Sequence, residues 1–395
     1  MIFRARRAAS LATAALLAAG AVTAFGAPAH AAGTETDLAV TAAGTRMTEG
    51  VEGKYGWIKI ANQGEGTPGK VLVKVDVSKM DDEKMMLAPL SFGECEVIGE
   101  SKPELFTCAL AKEEIPGPGE TSEVSIVLFK MDEKVTGPLT APVTISIESD
   151  DDTDDSNNSI DVDVELTPES GVDLGVIVPD VKTRIDLDSG KEKGPLRPGD
   201  TALVYGEVMN QGDRVAEGIK LTFQLPKGAK FEPIDGCEIG DDGRTAICQD
   251  KNFLLEPNSI IWFDLPITVD GDLEAPITLK GGSLEATAFG ALPVDSPAIH
   301  RKAAKPAFAK AKVRQAEESD FADLDPSDNT DDFAVVLSAP TGGGGGGGGL
   351  PVTGVQAGLI GGVGAAVVVA GAVLFLLARR RRVVLVTPGD EKTTV

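Results

Sequence analysis

The sequence predicts an all-β fold of two tandem β-sandwiches, and three observations lead there. Short runs of β-branched and aromatic residues alternate with polar ones, and Gly, Pro and Asn punctuate them. No stretch of helical length carries a 3.6-residue period. The same series of landmarks occurs twice along the chain, so one unit of structure is used twice.

In the first half, residues 55–60 and 71–77 read as strands separated by turn residues, and Val71, Val73, Val75 and Val77 fall on one face by their period of two. Further strands are expected over 124–129, 143–148 and 160–166. In the last of these Ile160, Val162 and Val164 alternate with Asp161, Asp163 and Glu165.

The second half repeats this order. Ile60-Ala61-Asn62-Gln63-Gly64 is answered by Val208-Met209-Asn210-Gln211-Gly212, and an alternating strand follows each, at 71–77 and 219–225. A close cysteine pair comes next in both halves, Cys95 with Cys108 and Cys237 with Cys248. Pro118-Gly119 then precedes one strand as Pro257-Asn258 precedes Ile260-Ile261-Trp262-Phe263. At the end of each half, the pair 143–148 and 160–166 is matched to 307–314 and 333–337, each pair flanking an acidic turn. On that matching, the Gly/Ala/Pro-rich residues 278–306 have no counterpart and read as an extra loop.

About seven short strands per half without helices is the pattern of an immunoglobulin-like sandwich, although a closed barrel satisfies it too. The halves are placed at 32–168 and 172–337, with 169–171 as linker. Pro198-Gly199-Asp200, Asn210-Gln211-Gly212, Leu225-Pro226-Lys227-Gly228, the paired cysteines and Ser327-Asp328-Asn329-Thr330 together resemble the bacterial Ig-like domain of unknown function eleven. The first half lacks the Pro-Gly-Asp and Leu-Pro-x-Gly landmarks and resembles that family less.

Both ends read as processing signals. Arg4, Arg6 and Arg7, an apolar stretch and Ala29-His30-Ala31 compose an export leader over residues 1–31, removed rather than kept as an anchor. Residues 338–349 form a glycine-rich spacer. Then come Leu350, Pro351, Val352, Thr353 and Gly354, an apolar segment over 355–378 long enough to span a bilayer, and a basic tail over 379–395. That order resembles the sorting signal of LPxTG surface proteins of Gram-positive bacteria, and the leader and tail are similar to those of actinobacteria. The resemblance implies that sortase cleaves between Thr353 and Gly354 and joins Thr353 to peptidoglycan. The chain is then a secreted cell-wall protein whose precursor is held only transiently in the membrane.

Loss of both processed segments lowers the basic residues from 37 to 29 and the acidic ones from 61 to 59, leaving a formal charge of −30. Such a surface repels nucleic acid and anionic lipid, which need basic residues. In an oxidising exterior the four cysteines are expected as two disulfides. Three pairings exist, and the repeat favours Cys95 with Cys108 and Cys237 with Cys248. Cysteine–zinc ligation is disfavoured because neither pair has ligand spacing.

No catalytic residues are assigned and no enzyme is expected. Beyond the leader the only histidine is His300, and neither a G-x-S-x-G elbow nor an H-E-x-x-H occurs. Gly64-Glu65-Gly66-Thr67-Pro68-Gly69 matches G-x-G-x-x-G, but a valine strand follows where a dinucleotide fold needs a helix, so it reads as a turn. The basic residues from Arg301 to Arg314 read as the solvent face of a strand beside an acidic turn.

No cofactor is expected unless the acidic turn holds Ca²⁺. Asp150, Asp151, Asp152, Asp154 and Asp155 offer hard oxygen ligands, but the run lacks the spacing of a D-x-D-x-D-G loop and equally suits a solvated turn. The expected function is non-catalytic: adhesion or structural display, in which a surface protein or glycan is the ligand. The alternatives are a calcium-dependent recognition module and a glycan-active enzyme using two carboxylates.

Overall fold

The computed structural model describes residues 35–90, 94–186, 191–296 and 323–339. The leader, residues 297–322 and everything from 340 onward, including the sorting signal, His300 and the basic residues 301–314, lie outside them. The described chain is nearly all β, with no α-helix and two single 3₁₀ turns. None of its helices is long and apolar enough to cross a membrane, and the predicted span at 355–378 is outside the described residues.

The first half contributes β1 (Leu38–Ala43), β2 (Arg46–Thr48), β3 (Gly53–Asn62), β4 (Leu72–Asp76), β5 (Met85–Pro89), β6 (Cys95–Ile98), β7 (Leu105–Ala109), β8 (Thr121–Lys130), β9 (Leu139–Glu148) and β10 (Ser159–Thr167). The second contributes β11 (Leu174–Ile177), β12 (Thr183–Asp186), β13 (Lys191–Pro195), β14 (Thr201–Asn210), β15 (Val215–Gln224), β16 (Ala229–Phe231), β17 (Cys237–Ile239), β18 (Thr245–Leu255), β19 (Ser259–Val269), β20 (Ile277–Leu292) and β21 (Thr330–Leu337).

These strands form two sheet pairs with matching topology. One sheet of the first half runs β1-β3-β8-β5, and its counterpart runs β11-β14-β19-β16. The other runs β2-β10-β9-β4-β7-β6, against β21-β20-β15-β18-β17. Strand β2 and the β12-β13 hairpin are the additions that have no counterpart. Each pair closes on its own apolar core. In the first, Val73 and Val75 of β4 oppose Ile58 and Ile60 of β3, all without exposure; in the second, Leu221 and Phe223 pack with Val204, Val208 and Ile267. Burying such side chains stabilises by roughly 1.5–3 kcal/mol each, so alternation along a strand decides which face turns inward.

The repeated asparagine explains why the same turn recurs. Asn62 donates Nδ2 to the carbonyls of Gly66 and Pro116 at 2.7 and 3.0 Å and accepts the N–H of Gly64 at 3.0 Å. Asn210 donates to Arg214 and Leu255 at 2.7 and 2.9 Å and accepts from Gly212 at 3.2 Å. One buried amide thus satisfies the backbone of a strand end twice over.

One expectation is corrected. Residues 278–292 are not an extra loop but most of β20, the counterpart of β9: it lies between β15 and β21 as β9 lies between β4 and β10. The pattern was obscured by small residues. Only Leu279, Leu284 and Ala286 mark the inner face, and Gly281-Gly282 interrupts it where the register with β21 shifts. Gly281 has φ +91°, and a Cβ on Gly282 would lie 2.6 Å from the Phe333 carbonyl oxygen. Glycine is therefore required at this bulge. Residues 307–314, matched to β9 from sequence, lie outside the described residues.

Candidate functional site

The disulfides are formed within each half. Cys95 bonds Cys108 across β6 and β7, and Cys237 bonds Cys248 across β17 and β18, each pair being direct cross-strand neighbours. No described cysteine is free.

The acidic turn spends its oxygens on the protein's own backbone. Asp151 accepts the N–H of Gly69 at 2.7 Å, Asp152 accepts those of Leu38 and Asp154 at 3.2 Å each, and Asp154 accepts that of Ser156 at 3.0 Å. Asp155 accepts from the Asn158 amide at 3.4 Å, while Asp150 is exposed. These carboxylates turn toward separate partners rather than toward a common centre, and among the described residues no group of three acidic, His or Cys side chains could hold a metal ion. The loop holding Gly64 and Gly69 joins β3 to β4, two strands, and so has no helix N-terminus for a pyrophosphate.

The densest polar chemistry lies where the two halves meet. Lys54 of β3 is buried and donates Nζ to Asp173 Oδ1 and Oδ2 at 2.9 and 2.8 Å and to Asp325 Oδ2 at 2.8 Å, with Asp328 Oδ2 at 3.1 Å. One ammonium therefore faces three carboxyls from the other half. Burial alone would push the Lys54 ammonium down, but the charges of Asp328, Asp173 and Asp325 outweigh it and hold it above its ordinary value. Burial lifts Asp173 to about 7 against the pull of Lys54, and lifts Asp328 well above its ordinary value. Asp325 goes the other way. Burial opposes its charge, but Lys54, both donors of Ser327 and the Arg46 N–H at 2.9 Å keep it ionised.

Around this cluster the backbone of one half is bonded by side chains of the other. Gln211 clasps Tyr55, accepting its N–H at 2.7 Å and donating to its carbonyl at 3.0 Å. Its repeat equivalent, Gln63, is exposed. Ser327 accepts the Gly44 N–H at 3.1 Å, Arg46 reaches the Leu324 carbonyl and Glu169, and Thr48 donates to the Glu169 carbonyl at 2.6 Å. Trp57 lies so close over Gly175 that a Cβ there would come within 2.7 Å of its ring. Residues 169–171 run along the edge of the seam, Glu169 and Ser170 exposed, with Gly171 and Ser170 donating to Asp213 at 2.8 Å.

Farther along the seam sits a second lysine. Lys59 contacts Asp331 of β21 and lies 3.7 Å from Glu123, its direct cross-strand neighbour on β8. The far oxygen of Asp331, Oδ2, accepts the Val178 N–H at 2.6 Å. Neither carboxyl oxygen of Glu123 has a hydrogen-bond partner by geometry. Burial first, and then the adjoining Asp331, raise the Glu123 carboxyl well above its ordinary value. Burial would lower Lys59, but Asp331 and Glu123 more than compensate and the ammonium is held up. Nearby, Asp180 accepts the N–H groups of Thr121 and Ala334 at 3.0 and 2.7 Å, and Lys182 donates to Glu120 at 2.7 Å.

None of Lys54, Lys59, Glu123, Asp173 and Asp331 stood out in the sequence, and Asp325 and Asp328 belonged to a run that reads as a solvated acidic turn. A lysine inside an apolar strand, between Val51 and Trp57, was the one available signal.

No family model matches the chain, and no curated protein does. Among solved structures, the crystal structure of red sea bream transglutaminase aligns with 64% of this chain at a TM-score of 0.22 and 10% identity, and the chain spans 29% of that protein's length. Likeness at that level carries no inference about activity.

Proposed function

We propose that this is a secreted cell-wall surface protein in which two tandem Ig-like sandwiches, joined into one stiff body, are displayed on a glycine tether and attached to peptidoglycan by sortase through Thr353. The observation that carries the anchoring is the order at the C-terminal end, Leu350-Pro351-Val352-Thr353-Gly354, apolar span, then Arg379 to Arg382. The seam supports the structural half of the reading. Lys54 and its carboxyls bind the halves through groups that are too costly to leave unpaired, which suits a spacer or adhesion stalk.

Cell fractionation tests the anchoring. Muramidase digestion is expected to release the protein with attached wall fragments, and Thr353→Ala is expected to leave it detergent-extractable. A wild-type chain that is recovered only in detergent overturns the proposal.

A recognition role is favoured by one further observation. Trp262 of β19 is 61% exposed and donates its indole N–H to Glu207 of β14 at 2.8 Å, which fixes a flat aromatic face beside an acceptor on an open sheet. A glycan and matrix-protein array probed with wild type and Trp262→Ala tests this, with loss of signal in the variant expected.

A further inference from the structure

We infer that the open sheet face around Trp262 is a docking site for an arginine-bearing segment of a partner protein. The inference rests on the recognition role proposed for Trp262 and names the chemistry that this face takes.

The repeat supplies the argument. Strands β3 and β14 are both ten residues long and end on Asn62 and Asn210, so positions counted back from these asparagines correspond. Lys59 then matches Glu207, and Trp57 matches Tyr205. Their cross-strand neighbours on β8 and β19 match as well, Glu123 with Trp262 and Ser125 with Asp264. In the first half this face is covered by the second half: Trp57 is buried against Gly175, and Lys59 is held by Asp331. In the second half the corresponding face is open among the described residues, with Trp262 and Asp264 exposed. A surface that receives a partner once within the chain is therefore presented a second time to solvent.

Its charge is reversed. Where Lys59 meets an acidic partner, Glu207 stands with Asp264 diagonally across the same two strands. The Tyr205 phenol, directly opposite Asp264, is pushed up by burial and then by Glu207 and Asp264, so both carboxylates bear on one place. Among the described residues neither is in an ion pair, and Glu207 accepts the Trp262 indole N–H at 2.8 Å. An indole face flanked by two uncompensated carboxylates attracts a cation. Arginine suits it because a planar guanidinium stacks on the indole while its N–H groups reach carboxylates at its edge; an ammonium has no plane to stack.

Other occupants fit less well. A neutral sugar would stack on Trp262 but leave the two carboxylates covered without a counter-ion. A second copy of the chain would use the end of its first half that corresponds to the seam, since Leu38 pairs with Asn62 as Leu174 pairs with Asn210. That end carries Asp37 and the acidic turn 150–155, which Glu207 and Asp264 repel.

Titration of the full chain, purified from expressing cells, with nona-arginine in physiological salt tests the inference, the salt screening long-range attraction. Calorimetry gives the affinity, and acrylamide quenching gives the place, because Trp57 is buried and Trp262 is not. The peptide is expected to shield Trp262. Affinity is expected to fall about tenfold in Trp262→Ala and in Glu207→Gln with Asp264→Asn. It is expected to hold in Glu113→Gln with Glu133→Gln, which removes the same charge from exposed positions of the first half, and to be weaker for nona-lysine. Equal binding by all variants, equal affinity for nona-lysine, or a Trp262 already shielded from acrylamide without peptide overturns the inference. Self-association that Trp262→Ala abolishes overturns it too, since a second copy then covers the face. A glycan whose binding needs Trp262, with no binding of nona-arginine there, overturns the inference and leaves the recognition role in place.

Discussion

Lys54 Nζ and Asp173 Oδ2 lie 2.8 Å apart across the seam with neither side chain exposed to solvent. A buried pair of this kind is worth little against a well-packed apolar substitute, but removing one member strands the other. Lys54→Met is therefore expected to destabilise by about 3–5 kcal/mol, since Asp173, Asp325 and Asp328 lose their shared cation. Adding Asp173→Asn and Asp328→Asn to that variant is expected to recover most of the loss, because Asp325 keeps Ser327 and the Arg46 N–H. Urea unfolding of the three proteins checks both statements; a Lys54→Met variant as stable as wild type would show the cluster to be dispensable.

The same cluster sets a pH dependence with a definite sign. Asp173 titrates near 7 when folded, and Asp328, Asp323, Asp180 and Glu123 are also raised, so the folded protein binds more protons than the unfolded chain from about pH 4 to about pH 7. Stability must then fall as pH rises through that window, by roughly 1.4 kcal/mol per pH unit for each extra proton held. Asp325 opposes this, being lowered, as are the more exposed Asp76, Asp81 and Asp154, and their contributions are lost only on acidification below the ordinary carboxylate range. Denaturation midpoints are expected to be higher near pH 5 than near pH 7.5, with a shallower slope in Asp173→Asn. A midpoint that rises across the window would contradict the protonation states assigned here.

What the sequence could convey follows from the range of each interaction. The strands with regular alternation, β4, β8, β10 and β15, were legible because their inward residues are large and apolar. The repeat was legible because Asn62 and Asn210 do the same local job. Strand β20 was missed because Gly281-Gly282 and alanines interrupt its inner face, leaving Leu279 and Leu284 as its large inward residues. The seam was missed for a different reason: Lys54 and Asp325 are 271 positions apart, and nothing local marks either as buried. Asp328 looks the same in sequence whether its turn faces water or another sandwich.

Trp57 and Gly175 make a steric test of the same interface. Gly175→Ala places a methyl 2.7 Å from the Trp57 ring and close to the Gln211 amide. Overpacking of this kind costs about 1–3 kcal/mol. Of the two tryptophans, Trp57 is buried and Trp262 exposed, so quenching by acrylamide separates them. The buried, protected fraction of the emission is expected to become quenchable in Gly175→Ala, and unchanged quenching would mean that the seam absorbs the methyl without opening.

The disulfides bridge strands already paired by hydrogen bonds, with sequence separations of 13 and 11. Loops of that length are stabilised by about 3 kcal/mol on the chain-entropy estimate. Cys95→Ala with Cys108→Ala is expected to lose that much in thermal or urea unfolding, and Cys237→Ala with Cys248→Ala about the same. Because β6 is an edge strand whose residues are all exposed, its loss should leave the first core intact. Hydrogen exchange is expected to quicken in β6 and β7 while β3 and β8 keep their protection.

Calcium gives the last test. A cation bound at residues 150–155 with a dissociation constant a hundredfold below its concentration would add about 2.7 kcal/mol to stability. The oxygens it would need are already turned to Gly69, Leu38, Asp154 and Ser156, and coordination would have to break those bonds. Unfolding temperatures in millimolar CaCl₂ and in EDTA are therefore expected to coincide. A clear upward shift with Ca²⁺ that Asp151→Asn and Asp152→Asn abolish would mean that the turn rearranges around the ion, and would return the acidic loop to the list of binding sites.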